Sequence, residues 1–170
     1  ALRKISATPF DIHLMLEDPE FIIGCLNLSE NDYVTLHAEL PEDIFRKNMA
    51  LIKEKKARVG IALNPETPIE AIEKYVNDID LILLMLVRPG FAGGKMIEGI
   101  MDKVPQTRAY LAQKGREDVL VSTDGNITLE RAKLMAQMGA DNLEGGTSAV
   151  FRKGKDIAET VPALYQYIAE

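Results

Sequence analysis

Short runs of apolar, β-branched-rich residues alternate along the chain with stretches whose apolar positions recur at helical spacing. The strand-like runs fall near 10–16, 32–38, 58–63, 80–87, 119–123 and 141–145, and the helical stretches near 19–27, 42–56, 68–77, 95–114, 128–138 and 155–168. Six βα units in regular succession predict parallel strands joined by right-handed crossovers. Polar residues interrupt the strands on one parity, His13 with Met15, Thr35 with His37, and Ser122 with Asp124. Inward-facing polar groups near strand tops suit a barrel, whereas an open dinucleotide-binding sheet would place a Gly-rich turn after the first strand, and no Gly-x-Gly-x-x-Gly follows residue 16. An eight-stranded α/β barrel takes about 250 residues, with ~200 at the lower end. The expectation is therefore a single (β/α) barrel domain over residues 1–170 that lacks about two βα units, most economically placed before the helix-end-like Ala1-Leu2-Arg3-Lys4.

Composition narrows the class. A hydrophobic content of 46% with 27% charged residues is that of an ordinary globular domain. A net charge of -6 with scattered Lys and Arg argues against a nucleic-acid surface, and Lys53, Lys55, Lys56 and Arg58 read as a solvated helix end. No apolar run reaches the roughly 18 residues of a membrane span, so no membrane partner is expected. The single Cys25 lies in an apolar helical stretch and reads as a packing residue in a reducing, cytoplasmic setting. Incomplete barrel closure would expose strand edges and apolar helix faces, which predicts a homo-oligomer.

Three strand ends carry residues able to do chemistry: His13, His37 and Asp124. Two neutral imidazoles and a carboxylate at one end of a parallel sheet can bind a divalent metal and hold an acid/base beside it. Glycine-rich loops follow two strands. In Val87-Arg88-Pro89-Gly90-Phe91-Ala92-Gly93-Gly94-Lys95 the glycines let backbone amides approach an anion, and Glu144-Gly145-Gly146-Thr147-Ser148 adds amides and two hydroxyls. Phosphate is the expected anion. Glu39 and Glu144 also lie at strand ends and read as solvated loop carboxylates.

Taken in order, Asp11-Ile12-His13-Leu14-Met15, Thr35-Leu36-His37-Ala38-Glu39, Leu63-Asn64-Pro65-Glu66-Thr67-Pro68, Pro89-Gly90-Phe91-Ala92-Gly93 and Asp124-Gly125 resemble the signature of the ribulose-phosphate 3-epimerase family, which includes allulose-6-phosphate 3-epimerases. The resemblance runs over essentially the whole chain. It implies a TIM barrel of the ribulose-phosphate-binding type and an isomerase of the pentose phosphate pathway. Such an enzyme interconverts D-ribulose 5-phosphate and D-xylulose 5-phosphate through an enediolate, with one divalent ion (Zn, Fe, Co or Mn) as cofactor and a small sugar phosphate as partner. By motif, His13, His37 and Asp124 would be metal ligands and Asp124 also the catalytic acid/base. Met15 and Met85 would line the reaction chamber, and Gly90, Phe91, Ala92, Gly93, Gly125, Gly145, Gly146, Thr147 and Ser148 would meet substrate or phosphate.

The chain also departs from that signature. The family's phosphate-side serine and partner aspartate have no counterpart in these residues, so efficient inversion is not expected of the chain as written. Arg88, Gly94 and Asn126 replace the family's usual residues. Two alternatives follow: an allulose-6-phosphate 3-epimerase, or a non-catalytic sugar-phosphate-binding remnant.

Overall fold

The structure, a computed structural model, describes residues 2–90 and 94–170. Six strands form one sheet in sequence order, β1 (Asp11–Leu14), β2 (Tyr33–His37), β3 (Arg58–Leu63), β4 (Leu81–Met85), β5 (Leu120–Asp124) and β6 (Asn142–Glu144), every neighbouring pair parallel. Helices α1 (Glu20–Cys25), α2 (Glu42–Glu54), α3 (Lys103–Gln113) and α4 (Leu129–Gln137) lie in four of the five crossovers, and α5 (Ile157–Ala169) follows β6. The sheet is rolled. Strands pair about 4.8 Å apart, so β1 and β5 would lie about 19 Å apart if it were flat. Yet side-chain atoms of His13 on β1 approach those of Asp124 on β5 and Glu144 on β6 within 4.8 Å.

The expected parity is the structural one. Val34, Leu36, Val59, Ile61, Leu63, Ile82, Leu84 and Val121 join helix residues such as Ile23, Phe45, Ile52, Val104 and Leu111 in the main core. The alternate positions face the inside of the roll, where Ala62, Leu81, Leu83 and Met85 form a small separate cluster. The last units pack around Leu86, Ile127, Met135 and Leu164.

Register is clamped by an aspartate one residue before three of the strands. Asp32 accepts the Phe10 N–H at 2.7 Å, Asp80 the Val59 N–H at 2.8 Å, and Asp141 the Val121 N–H at 2.7 Å. Asp80 and Asp141 also donate their own N–H back to the carbonyl of the residue they clamp, each at 2.8 Å. A one-residue slip would break both bonds and turn the strand's inner face outward.

Two expected helices differ. Over 68–77 only a 3-10 turn forms, at Ile69–Ile72, and the bonds that follow, Glu73 to Glu70, Tyr75 to Ile72 and Asp78 to Tyr75, keep the i to i−3 pattern. Side chains three apart eclipse in that geometry, so Ile69, Ile72 and Tyr75 all bury on the sheet. Over 95–114, a 3-10 turn at Ile100–Asp102 leads into α3, which begins only at Lys103. Pro105 has no N–H to give and is tolerated in the first turn, not in the interior that a helix from 95 would make of it. Cys25 corrects a third expectation. It is exposed, because α1 buries only Ile23. Leu2, Ile5, Met15, Leu16 and Phe21 are also exposed near the β1 edge, as are Phe151, Ile157 and Tyr165 around the last unit.

Candidate active site

The chemistry-bearing residues sit at the C-terminal ends of their strands: His37 closes β2, Asp124 closes β5 and Glu144 closes β6, with His13 one residue from the end of β1. That is the end at which parallel (β/α) sheets carry their sites. A cavity of about 510 Å³ opens there, lined by Met15, Met85, Asp124, Glu144 and the loops 87–90, 125–127 and 146–148.

On one side, His13 and His37 stack with ring centroids 4.9 Å apart and bring their Nε2 atoms to 2.8 Å. His37 Nδ1 lies 3.0 Å from Glu39 Oε2. The other Glu39 oxygen accepts the Asn64 N–H at 3.0 Å and the Thr67 hydroxyl. Burial alone would raise the Glu39 carboxyl, but the hydrogen bonds from His37, Thr67 and Asn64 hold it down to about 2. Glu39 is thus a fully used carboxylate and not the solvated one its loop position suggested. Burial, then the neighbouring His37, lowers His13 to about 4, so its imidazole is neutral and able to ligate at physiological pH.

The opposite side is under-satisfied. Burial raises Asp124, offset in part by the Gly125 N–H. Burial raises Glu144 to about 8, with the negative charges of Asp124 and Asp11 adding to the effect. Glu144 Oε1 is buried without a hydrogen-bond partner. The sequence reading set Glu144 aside; the rolling of the sheet carries it instead into a trio with His13 and Asp124, each offering one ligand atom within 4.8 Å of the others. His37 is not in that trio. One imidazole and two carboxylates, one with an orphaned buried oxygen, fit a divalent cation.

Three glycine-rich segments meet the cavity. Gly125 turns the chain at φ +119°, where a Cβ would come 2.7 Å from Val87, so a compact reversal at the top of β5 needs glycine. Gly90, Gly146, Thr147 and Ser148 line the cavity, and so do Met15 and Met85. Phe91, Ala92 and Gly93 lie outside the described residues. Gly145 is not at the wall; a Cβ there would come 2.7 Å from Val150, so it serves loop packing. Asn126 ties the loops together. Its amide donates to the Gly94 carbonyl at 3.1 Å and its side-chain oxygen accepts the Ser148 hydroxyl at 3.3 Å. Its αL backbone, φ 52°, is one asparagine tolerates.

Rolled parallel strands with functional groups at their C-terminal ends define a (β/α) barrel-type protein, and solved structures agree. A tryptophan synthase α-subunit variant from Pyrococcus furiosus superposes with a TM-score of 0.67 at 13% identity, covering 98% of this chain and 68% of its own. The model of the ribulose-phosphate 3 epimerase family matches residues 1–151. Ribulose-phosphate 3-epimerase from Bacillus subtilis is 38% identical over 89% of this chain and 69% of its own length. The chloroplastic ribulose-5-phosphate-3-epimerase of Arabidopsis thaliana is 36% identical over 96% of this chain and 58% of its own. The chain belongs to the ribulose-phosphate 3-epimerase family, and it spans 69% and 58% of the lengths of these two relatives. Among the described residues no helix is long and apolar enough to cross a membrane.

Proposed function

We propose that this chain acts on D-ribulose 5-phosphate, exchanging the proton at carbon 3 as its part of epimerisation to D-xylulose 5-phosphate. The observation that carries the reading is the convergence of His13, Asp124 and Glu144 within 4.8 Å, with Asp124 and Glu144 in the cavity wall. These three would hold one divalent cation, of the Zn, Fe, Co or Mn type. When bound, the cation supplies positive charge against the negative charge that develops on the substrate's oxygens as the proton leaves.

The remaining steps belong to the protein. Asp124, already half-desolvated, takes the proton from carbon 3 on the face it meets. Met85, buried to 1% exposure, and Met15 provide apolar walls that keep water from the carbanionic centre. Gly90, Gly146, Thr147 and Ser148 line the cavity, where their backbone amides and the Thr147 hydroxyl would serve a phosphate. Inversion also needs a proton delivered to the opposite face.

The test is deuterium wash-in at carbon 3 of ribulose 5-phosphate, followed by NMR with each divalent ion and after chelation. Metal-dependent exchange is the expected result. Binding of the sugar phosphate to folded protein with no exchange under any of the four metals would leave only the non-catalytic alternative.

A further inference from the structure

His37 stands between two partners that dictate where its proton sits. Glu39 is anchored from behind, since its Oε1 accepts from the Asn64 N–H at 3.0 Å and from the Thr67 hydroxyl, while Oε2 faces His37 Nδ1 at 3.0 Å. An ionised carboxylate only accepts, so Nδ1 carries the His37 proton and a neutral ring then has its lone pair at Nε2. That lone pair faces His13 Nε2 at 2.8 Å. Two lone pairs at that separation repel, so the bond exists only if His13 donates from Nε2. The lone pair left to His13 is at Nδ1.

We propose that Glu39 and His37 are positioning residues that fix His13 as its Nε2–H tautomer, leaving Nδ1 as the one atom this ring offers to a cation. The ligand half of this inference rests on reading His13, Asp124 and Glu144 as the cation site; the tautomer half does not. It reassigns His37, expected from the sequence to be a ligand. Both of its ring nitrogens are engaged by protein, and it lies outside the trio whose ligand atoms converge. Lys103 extends the chain of support, because its ammonium donates to the carbonyls of Asn64 at 3.0 Å and Thr67 at 2.6 Å, the two residues that hold Glu39.

The test is a long-range proton–nitrogen NMR spectrum of the metal-free protein labelled with nitrogen-15 histidine at neutral pH. With only two histidines the spectrum holds two ring patterns, and correlating each ring with its own backbone in carbon-13, nitrogen-15 protein assigns them. The expected spectrum has His37 protonated at Nδ1 and His13 at Nε2. A doubly protonated His37, or a His13 protonated at Nδ1, overturns the proposal without any variant or metal.

Glu39→Gln sharpens it. The Gln oxygen is retained by the Asn64 N–H and the Thr67 hydroxyl, so its NH2 group turns to His37 and donates to Nδ1. His37 then carries its proton at Nε2, donates to His13 Nε2, and drives the His13 proton onto Nδ1. Both tautomers invert, and Zn2+ affinity by calorimetry falls about 10–100-fold, the range of second-layer partners of metal-binding histidines. Unchanged tautomers in a folded variant overturn the relay, and inverted tautomers with unchanged Zn2+ affinity overturn the ligand role of Nδ1. Wild-type protein with the expected tautomers but no Zn2+ binding overturns the cation-site reading, and the ligand role with it, while the tautomer assignment stands.

Discussion

The two halves of the site are built on opposite principles. On the imidazole side the groups form one hydrogen-bonded chain: Lys103 holds the Asn64 and Thr67 carbonyls, those residues hold Glu39, Glu39 holds His37, and His37 meets His13. On the carboxylate side Asp124 and Glu144 are pushed up by burial, and Glu144 keeps an unpartnered oxygen. A satisfied network fixes geometry; an unsatisfied pair of buried carboxylates stores a cost that a bound cation removes. The contrast separates the part of the site that positions from the part that binds and reacts.

The largest effect should come from the reactive side. Asp124→Asn keeps the shape but cannot take a proton, so carbon 3 exchange should fall by about 10²–10⁴-fold. Because the substitution also deletes a negative charge beside Glu144, the melting temperature of the metal-free variant should not drop. Exchange within a few-fold of wild type would remove Asp124 from its role, and a large loss of Tm would show that the carboxylate stabilises the fold instead.

Glu144→Gln probes the stored cost through pH. Glu144 has a model-compound pKa of 4.5 and is raised to about 8 in the fold, so between these values the folded state binds the proton that the unfolded state has released. Stability linked to this group is therefore fully present below pH 4.5 and is lost as pH rises through 8. The loss is on the order of a few kcal/mol at most, since the carboxylate is only half-buried. Metal-free wild type should lose Tm from pH 5 to pH 8 relative to Glu144→Gln, and saturating divalent cation should close most of the gap. Parallel Tm curves for the two proteins would erase the contrast between the two halves of the site.

How far the sequence foretold this depends on the range of each interaction. Five of the six strands lie inside their expected spans and β5 runs one residue past its own, to Asp124, because apolar alternation and the flanking turns are local signals. The polar parity of Thr35, His37, Ser122 and Asp124 revealed the inner face before the roll was seen. The 3-10 run at Ile69–Ile72 escaped because apolar spacing of three and of nearly four look alike over so short a stretch, and Pro105 was the overlooked marker for the start of α3. Glu144 was misjudged for a different reason. A glutamate before two glycines looks solvated until curvature brings β6 back toward β1, and curvature is a property of the whole sheet. Glu39 and Lys103 are legible only in three dimensions, since Lys103 meets carbonyls 36 and 39 positions earlier in the chain.

The smallest effect concerns the root of the positioning side. Lys103 is 8% exposed, and burial lowers the pKa of its ammonium, which lies against the carbonyls of Asn64, Pro65 and Thr67. Lys103→Met keeps the aliphatic stem and removes only the ammonium, leaving those carbonyls to find water or go unpaired. The expected loss of stability is about 1–3 kcal/mol, measured by denaturant midpoint at unchanged m-value. Catalysis should respond less, because Glu39 keeps its direct bonds to the Asn64 N–H and the Thr67 hydroxyl, so exchange with saturating metal should stay within a few-fold of wild type. A collapse of exchange as deep as that of Asp124→Asn, in protein that still folds, would mean that the two sides are not separable and that the ammonium's charge acts on the reacting centre itself.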